Sequence, residues 1–455
     1  MISTLEVQQR SQNGPIMDEK QFERKMMLRL RELAKNYAIE TTREEVIPPL
    51  EAGDAIFEAS IELARDIGLY HLDTHRIIEF TEEELRYTAK TRKRELTLGE
   101  GKDQVTIRAR SISDEEPPAR LIGPAGVAVT EDLFIPLHLS YAKLPEAQGI
   151  TPGVLIGSRG FNNEAGTPGE LISVLSEAKM MREVTRLAGK PGMIIGEAPM
   201  AALSSFASIA SYNPDGYDKK FCMMPLQVYP GLKISWHQLI LSAYMQEAGI
   251  EPWPTAFILL GAHSRDAVET AILSTAGILM LLAITHASFV YSGTISTTSV
   301  WDFRAQMQTE TLKNLAMTRN MGVPVAAIAG GTAGSCTKMT LYENFISAFG
   351  PSVAGCAAIT FGVAAKGTAL NGTTGMEGKI ACEAAFASTG IQREDANEII
   401  NNVMALFEDQ SADPPQGKMF PECYDIVKVE PTDEYKLVYD EAKKDLREAG
   451  VTFKY

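Results

Sequence analysis

Short apolar runs recur along this chain at a regular interval, and that interval constrains the fold more than any other feature. Eight runs, many of them ending in glycine, have centres about 30 to 40 residues apart, the length of one strand followed by one helix. They are residues 120–132, 153–160, 192–198, 222–231, 256–263, 287–294, 323–331 and 356–367. Eight such units predict an α/β fold, a closed TIM (β/α)8 barrel, although residues 222–231 also fit a loop.

Two flanking segments differ from this central pattern. Residues 1–118 are strongly charged, carry apolar residues at helical spacing and end in the linker "SDEEPPAR". We therefore expect an N-terminal helical segment (1–118) packed on the barrel, followed by the barrel with its C-terminal helices (119–455). The stretches "DANEIINNVMALFED" and "PTDEYKLVYDEAKKDLREAG" predict charged helices on the outside of the barrel.

Charge and composition exclude several classes of function. A net charge of −15 and a pI near 5.1 argue against a nucleic-acid partner, which requires clustered Lys and Arg. The five cysteines are odd in number and form no CxxC motif, so we expect a reducing cytoplasm. The six histidines form no HxH or HExxH pair, and we expect no metal site.

One apolar stretch, residues 270–293, is nearly long enough to cross a bilayer. It contains a histidine and many Ser, Thr and Gly residues, and it lacks basic flanks. The N-terminus is polar and shows no signal-peptide core. A buried helix followed by a buried strand explains the stretch, and we expect no membrane association.

The carboxyl ends of barrel strands carry the chemistry in this architecture. At those ends the chain has the candidate site residues Arg159, Gly196, Glu197, Gln227, Tyr229, His263 and Tyr291. The set offers carboxylate, guanidinium and aromatic groups, but no nucleophile elbow and no metal cluster. Each residue also has a structural explanation: Arg159 would brace the rim by pairing with Glu131 or Asp132, and His263 would cap a helix.

Six segments point to a known family: "DTHRIIEFTEEEL", "LGEGKDQVTIRARS", "TEDLFIPLHLSYA", "AGKPGM", "GTTGMEG" and "GKMFPECYDIVKVEPTDEYKLVYD". In order and spacing they resemble the monomethylamine:corrinoid methyltransferases of methylotrophic methanogens, from about residue 50 to the C-terminus. The resemblance implies a TIM-barrel subunit that moves a methyl group from an amine to the cobalt of a separate corrinoid protein. It also implies a homo-oligomer, a hexamer, with no tightly bound cofactor of its own.

The same resemblance gives a meaning to Gly196. In that family the residue that closes this strand is pyrrolysine, whose imine ring is thought to hold the methylamine, and aligning on "AGKPGM" places Gly196 there. A family glutamate after the fifth strand falls on Val268 or Glu269, whereas Arg159 matches directly. A family glutamine near the seventh strand falls near Met321. From the strand ends and the resemblance together, we expect catalytic roles for Glu197, Arg159 and Glu269, and substrate contacts from Gly196, Gln227, Tyr229, His263, Tyr291 and Met321.

Leaving-group chemistry limits which class of methylated amine can be the substrate. Co(I) attacks a methyl carbon in line, and a neutral amine would have to leave as an amide anion, whereas an N-methyl cation leaves as a neutral amine. A quaternary ammonium is cationic at every pH and requires no pyrrolysine adduct. A glycine at position 196 would also vacate volume for a larger substrate. We therefore predict a pyrrolysine-independent methyltransferase for a quaternary ammonium or betaine.

Aromatic and charged side chains at the strand ends would bind such a substrate. Tyr229, Tyr291 or Trp253 would supply cation–π contacts worth roughly 0.5–2 kcal/mol each. Glu197 would neutralise the cation, and Arg159 would grip a substrate carboxylate. Two alternatives remain open. One is a corrinoid methyltransferase that takes its methyl group from oxygen, sulfur or a methylated pterin, and the other is a non-catalytic scaffold with an apolar or filled barrel mouth.

Overall fold

A ring of eight parallel strands forms the centre of the protein in a computed structural model, which describes residues 2–291, 294–296 and 302–454. The strands are β1 (Ala119–Ile122), β2 (Gly149–Ile150), β3 (Ile194–Ile195), β4 (Met223–Val228), β5 (Glu251–Ala256), β6 (Val290–Tyr291), β7 (Val325–Gly330) and β8 (Ala358–Val363). Consecutive strands are neighbours, β8 pairs with β1, and a parallel bridge between Ile195 and Cys222 joins β3 to β4. The predicted TIM barrel is confirmed, and residues 222–231 supply its fourth strand.

Fifteen helices surround the barrel in the described part of the chain, and α5 to α12 follow β1 to β8 in turn. They are α1 (Thr4–Asn13), α2 (Glu19–Asn36), α3 (Leu50–Ile67), α4 (Glu82–Lys90), α5 (Glu131–Ala142), α6 (Pro168–Leu187), α7 (Ser205–Ser211), α8 (Trp236–Ala248), α9 (Ala267–Thr285), α10 (Phe303–Asn320), α11 (Lys338–Val353), α12 (Gly375–Ala387), α13 (Arg393–Met404), α14 (Phe420–Cys423) and α15 (Asp433–Glu448). Helices α13 and α15 pack on α11, outside the barrel, as expected.

Two of the eight apolar runs are not the barrel strands themselves. In the second run, Val154–Leu155 pairs with Ala128–Val129 in a small separate sheet, and β2 lies upstream. Strand β2 is Gly149–Ile150, so it contains one apolar side chain and gives no apolar run. In the fifth run, Ile258–Leu260 pairs with Thr294–Ser296 beyond the barrel. The true strand, β5, contains prolines, which ordinarily argue against a central strand.

The N-terminal segment contains more than helices. Its strands Leu69–His71 and Arg76–Ile78 form a hairpin, and a second hairpin joins Glu95–Leu98 to Val105–Arg108. Leu69–His71 also pairs in parallel with Lys233–Ile234, in the loop after β4. The predicted N-terminal helical segment is present as α1 to α4, and short paired strands that the sequence did not predict tie it to the barrel.

The long apolar stretch folds as expected. Helix α9 is long and apolar enough to cross a membrane, but 94% of its most apolar window is buried inside the protein. It packs against α2, α3, α4 and α10, and the buried strand β6 follows it. The stretch thus belongs to the outer apolar core that joins the N-terminal helices to the barrel.

Candidate active site

Glu197 occupies an unusual position directly after β3. Its backbone lies in the left-handed region, with φ at 54°, which few residues other than glycine adopt. The side chain is 1% exposed, and its Oε2 atom has no hydrogen-bond partner among the described residues. Burial raises the pKa of this carboxyl to about 8. A buried, unpartnered carboxyl at a strand end is the arrangement that a cationic ligand would complete.

Aromatic side chains form a cluster close to Glu197. Trp253 and Tyr291 are fully buried on β5 and β6, with ring centroids 5.9 Å apart. Phe361 on β8 lies 5.5 Å from the Tyr291 ring. Burial raises the pKa of Tyr291 well above its usual value, and the nearby Glu197 carboxylate adds to the effect. The strand ends of β3 and β6 thus lie close enough for the Glu197 charge to act on Tyr291.

Several polar atoms in this cluster lack partners. The Trp253 Nε1, Thr255 Oγ1 and Tyr291 hydroxyl are all buried without a hydrogen bond in the described structure. Thr255 is the cross-strand partner of Tyr291 and lies two residues from Trp253, so all three share the inner face of the barrel. Native proteins pair most buried polar groups. This concentration of unpaired groups makes the cluster the candidate binding site.

The volume above Gly196 is filled by Trp253. A Cβ atom at position 196 would lie 2.9 Å from Cη2 of the indole and nearer still to Cζ3. The expectation that the missing side chain leaves an enlarged, open pocket was therefore wrong. Gly196 is glycine here because an aromatic ring from β5 occupies the direction in which a side chain would point.

Adding a single methyl group tests this packing. We expect Gly196→Ala to lower the free energy of unfolding by about 1–3 kcal/mol, because the new Cβ overpacks against a buried indole. The loss should shrink in a Trp253→Leu background, where the ring is absent. Denaturant unfolding of the four proteins in this double-mutant cycle measures both effects. Equal losses in the two backgrounds would contradict the contact.

Two glutamates on α6 hold the backbone that follows Glu197, residues 198–204, which we call the strap. Glu177 accepts hydrogen bonds from the Met200 and Ala201 N–H groups at 2.9 and 2.6 Å, and from the Tyr217 hydroxyl at 2.8 Å. Glu170, two turns earlier, accepts from the Leu203 and Ser204 N–H groups. Their spacing of seven residues places both carboxyls on one helix face. The sequence analysis missed this pair, since only the fold brings the strap to α6.

A cavity of about 240 Å³ lies between the strap and β4. Gln227 and Tyr229 line it, as do Pro199 and Met200 of the strap. Gln227 is the cross-strand partner of Thr255, so the cavity adjoins the cluster of unpaired polar atoms. The structure therefore places two predicted substrate contacts, Gln227 and Tyr229, beside one wall of the site. We call this space the strap cavity.

Arg159 lies apart from that cluster. It is exposed at the tip of a hairpin formed by Gly157–Ser158 and Phe161–Asn162, beyond the end of β2. Its backbone N–H, and not its guanidinium, donates to Glu131 Oε2 at 2.9 Å. Neither the predicted rim ion pair with Glu131 nor a buried catalytic position is therefore observed. The residue was misplaced because β2 ends before the run that suggested it.

His263 and Glu269 are engaged elsewhere. His263 packs beside Gly231 and Lys233, with its Nε2 atom 3.8 Å from Glu23 on α2, and burial lowers its pKa. Glu269 is 1% exposed and accepts from the Arg265 backbone N–H and Nε, both at 2.9 Å, in the first turn of α9. Both side chains are tied to groups outside the Glu197 cluster, in contrast to the roles predicted for them.

Met321 was also placed wrongly. It caps the C-terminus of α10 and is fully buried in the outer apolar core. Since it precedes β7, it lies at the opposite end of the barrel from Glu197. A residue that the sequence did not suggest, Glu310, lies nearer the N-terminus of α10. Its charge raises the pKa of Tyr291, and its Oε2 atom is unpaired in the described structure.

Comparisons with known proteins agree on one family. Residues 2–451 match the family described as monomethylamine methyltransferase MtmB. MtmB1 of Methanosarcina acetivorans is 30% identical, over 94% of this chain and 93% of its own, and MtmB of Methanosarcina mazei is 29% identical over the same shares. The crystal structure of Methanosarcina barkeri MtmB superposes with a TM-score of 0.95 at 27% identity, covering 99% of both chains. A crystal structure of a hydroxylamine complex of MtmB matches equally well. The chain belongs to the monomethylamine methyltransferase MtmB family.

Proposed function

We propose that this protein transfers a methyl group from a quaternary methylammonium compound to the Co(I) of a corrinoid protein, without pyrrolysine. The observation that carries the proposal is the buried, unpartnered Glu197 carboxyl beside Trp253 and Tyr291. A carboxylate and aromatic faces together are the recognised means of holding a quaternary cation. Membership of a methylamine methyltransferase family supplies the reaction class, and this chain's own residues supply the preference among amines.

The charge of the substrate explains the need for Glu197. Transfer of a methyl cation to Co(I) leaves the lone pair on nitrogen, so a quaternary ammonium departs as a neutral tertiary amine and no proton is required. Glu197 would stabilise the bound cation before transfer, and the aromatic rings would exclude water. A primary ammonium loses far more hydration on entering such a site and would leave its N–H donors to be satisfied.

The residues around Gly196 allow two alternatives to be weighed: a non-catalytic scaffold and a non-amine methyl donor. A scaffold that had lost catalysis would have an apolar or filled barrel mouth. Trp253 does fill the volume above Gly196, but buried polar atoms of Glu197, Trp253, Thr255 and Tyr291 remain unpaired in the described structure, which supports a binding site. Methanol and thioethers are neutral and would give the Glu197 carboxyl no opposite charge. The partner corrinoid protein, the hexamer and the cytoplasmic location expected from the sequence are part of this proposal.

The substrate comparison tests the proposal. Purified protein is incubated with reduced free cobalamin or a corrinoid protein and either tetramethylammonium or monomethylamine, and methylation of the corrinoid is followed by its absorbance. We expect methylation from the quaternary compound and little from monomethylamine. Equal or faster turnover of monomethylamine would overturn the proposal. Methylation from methanol or a thioether alone would favour the non-amine donor, and none from any donor would favour the scaffold.

Arg159→Ala should leave this reaction almost unchanged. Its side chain is exposed and outside the Glu197 cluster, and exposed substitutions change free energies by about 0.5 kcal/mol or less. We expect kcat/KM for tetramethylammonium within about threefold of the wild-type value. A loss of about 30-fold or more, the range for removing a buried charge partner, would instead show that Arg159 reaches the substrate.

A further inference from the structure

The strap cavity adjoins the Glu197 cluster and is lined by uncharged side chains. Gln227 and Tyr229 come from β4 and its loop, and Met200 and Ala202 come from the strap. His237, at the start of α8, completes the polar part of the lining. Burial lowers the pKa of His237 below its usual value, so its ring is neutral at pH 7. Within the described structure, the lining carries amide, phenol, imidazole and apolar groups but no formal charge.

The position of the cavity suits a substituent of the substrate nitrogen. Pro199 lines it two residues after Glu197, and Gln227 lies across from Thr255, whose hydroxyl is one of the unpaired atoms. A cation held at the Glu197 carboxyl would therefore have the strap cavity beside one of its four substituents. At about 240 Å³ the cavity is smaller than the roughly 300–1,000 Å³ of sites for drug-sized ligands. A short chain fits such a space.

The strap wall is rigid enough to select by size. Glu177 and Glu170 hold its backbone N–H groups, and the Asn163 side-chain amide donates to the Ala201 carbonyl at 2.6 Å. Each of these groups comes from outside the strap, so its backbone is fixed from more than one side. A wall held in this way changes shape little when different substrates enter.

We propose that the strap cavity is a specificity pocket for the fourth substituent of the quaternary nitrogen, and that it accepts an uncharged hydroxyl- or amide-bearing chain and rejects a carboxylate. This inference rests on the proposed function and selects within it: choline-like compounds are substrates in preference to betaines. A substrate carboxylate in the cavity would be buried without a cationic partner, because the exposed Arg159 guanidinium does not line it. A hydroxyl would meet Gln227, Tyr229 or His237.

Binding of three probes tests the assignment. Isothermal titration calorimetry at pH 7 compares tetramethylammonium, which has no chain, with choline and glycine betaine, on the full protein. We expect choline to bind about tenfold tighter than tetramethylammonium, because it gains a hydrogen bond and apolar contact. Glycine betaine should bind at least about 30-fold more weakly than choline. Betaine binding as tightly as choline, or no binding of any probe, would overturn the assignment.

Two variants separate the pocket from the site that holds the cation. Ala202→Leu fills the cavity and should weaken choline binding about tenfold or more, and Gln227→Leu removes the amide and should weaken it about tenfold. Binding of tetramethylammonium should change little in either, which also shows that the variants fold. Gln8→Leu, an exposed glutamine on α1, is the matched control. Equal weakening of both ligands would contradict the pocket.

The two levels of the proposal can fail separately. If choline binds as expected but neither it nor tetramethylammonium methylates reduced cobalamin, the proposed function is wrong and the cavity remains a binding site for uncharged chains on a cation. If tetramethylammonium is turned over but the cavity variants do not discriminate between ligands, the function stands and the specificity pocket is wrong.

Discussion

Replacing Glu197 with glutamine is expected to raise the KM for a quaternary methylammonium substrate by about 30-fold or more, the range for removing one partner of a buried charge pair. The change preserves volume and removes the charge that pairs with the cation. The kcat value should stay near the wild-type value or rise, because the positive charge leaves nitrogen as the methyl group departs, so the ion pair is stronger in the ground state than in the transition state. Steady-state kinetics with tetramethylammonium measure the split.

The control for this variant is Glu183→Gln, on an exposed face of α6 where Glu183 pairs with Arg186. It should leave both constants near the wild-type values. A fall in kcat with an unchanged KM in Glu197→Gln would contradict a role in holding the cation.

The same substitution should change how stability depends on pH. The folded-state pKa of Glu197, about 8, lies above the value of about 4.3 in an unfolded chain. The folded protein therefore holds this proton more tightly. The resulting stability is complete below about pH 4 and is lost as the pH rises through 8. Between pH 5 and 9 the melting temperature of Glu197→Gln should fall less than that of the wild type, and parallel curves would contradict the raised pKa.

Removing Glu177 is expected to lower the free energy of unfolding by about 3 kcal/mol or more, the largest stability effect among these predictions. Glu177→Leu leaves the Met200 and Ala201 N–H groups and the Tyr217 hydroxyl without their acceptor in a fully buried place. Each unsatisfied buried donor costs about 1–3 kcal/mol. Hydrogen exchange of the Met200 and Ala201 amides and denaturant unfolding measure the local and global effects.

A matched substitution on the same helix sets the baseline. Glu183→Leu removes an exposed carboxylate from α6 and should change stability by about 1 kcal/mol or less. Glu177→Gln retains one oxygen acceptor and should fall between the two. If Glu177→Leu and Glu183→Leu were equally stable, with the strap amides still protected, the glutamates of α6 would not be what holds the strap.

Sequence reasoning located Glu197 and Tyr291 because both follow apolar runs that are themselves barrel strands. A charged or aromatic residue at such an end can only face the mouth of the barrel or its rim. Gln227 and Tyr229 were located for the same reason, since residues 222–231 contain β4. At these positions the local pattern and the tertiary structure agree.

The failures have physical causes that are equally local. Strand β2, Gly149–Ile150, has one apolar side chain and gave no apolar run, so the run after it was interpreted as the strand and Arg159 was placed at its end. Prolines hid β5, and with it the position of Trp253 above Gly196. Glu177 lies in an ordinary helical pattern, and its role depends on a strap that returns to α6 only in the folded chain. The periodicity of apolar residues does not predict contacts between segments that are distant in sequence.

Proton release on ligand binding tests the central claim, that Glu197 is the charge partner of a quaternary cation, most directly. With a pKa of about 8 the free carboxyl is about 90% protonated at pH 7, and a bound cation should drive its deprotonation. Calorimetry of tetramethylammonium binding in two buffers of different ionisation enthalpy counts the protons. We predict about 0.9 proton released per bound cation in the wild type and none in Glu197→Gln. No release in the wild type, or equal release in both proteins, would contradict the account.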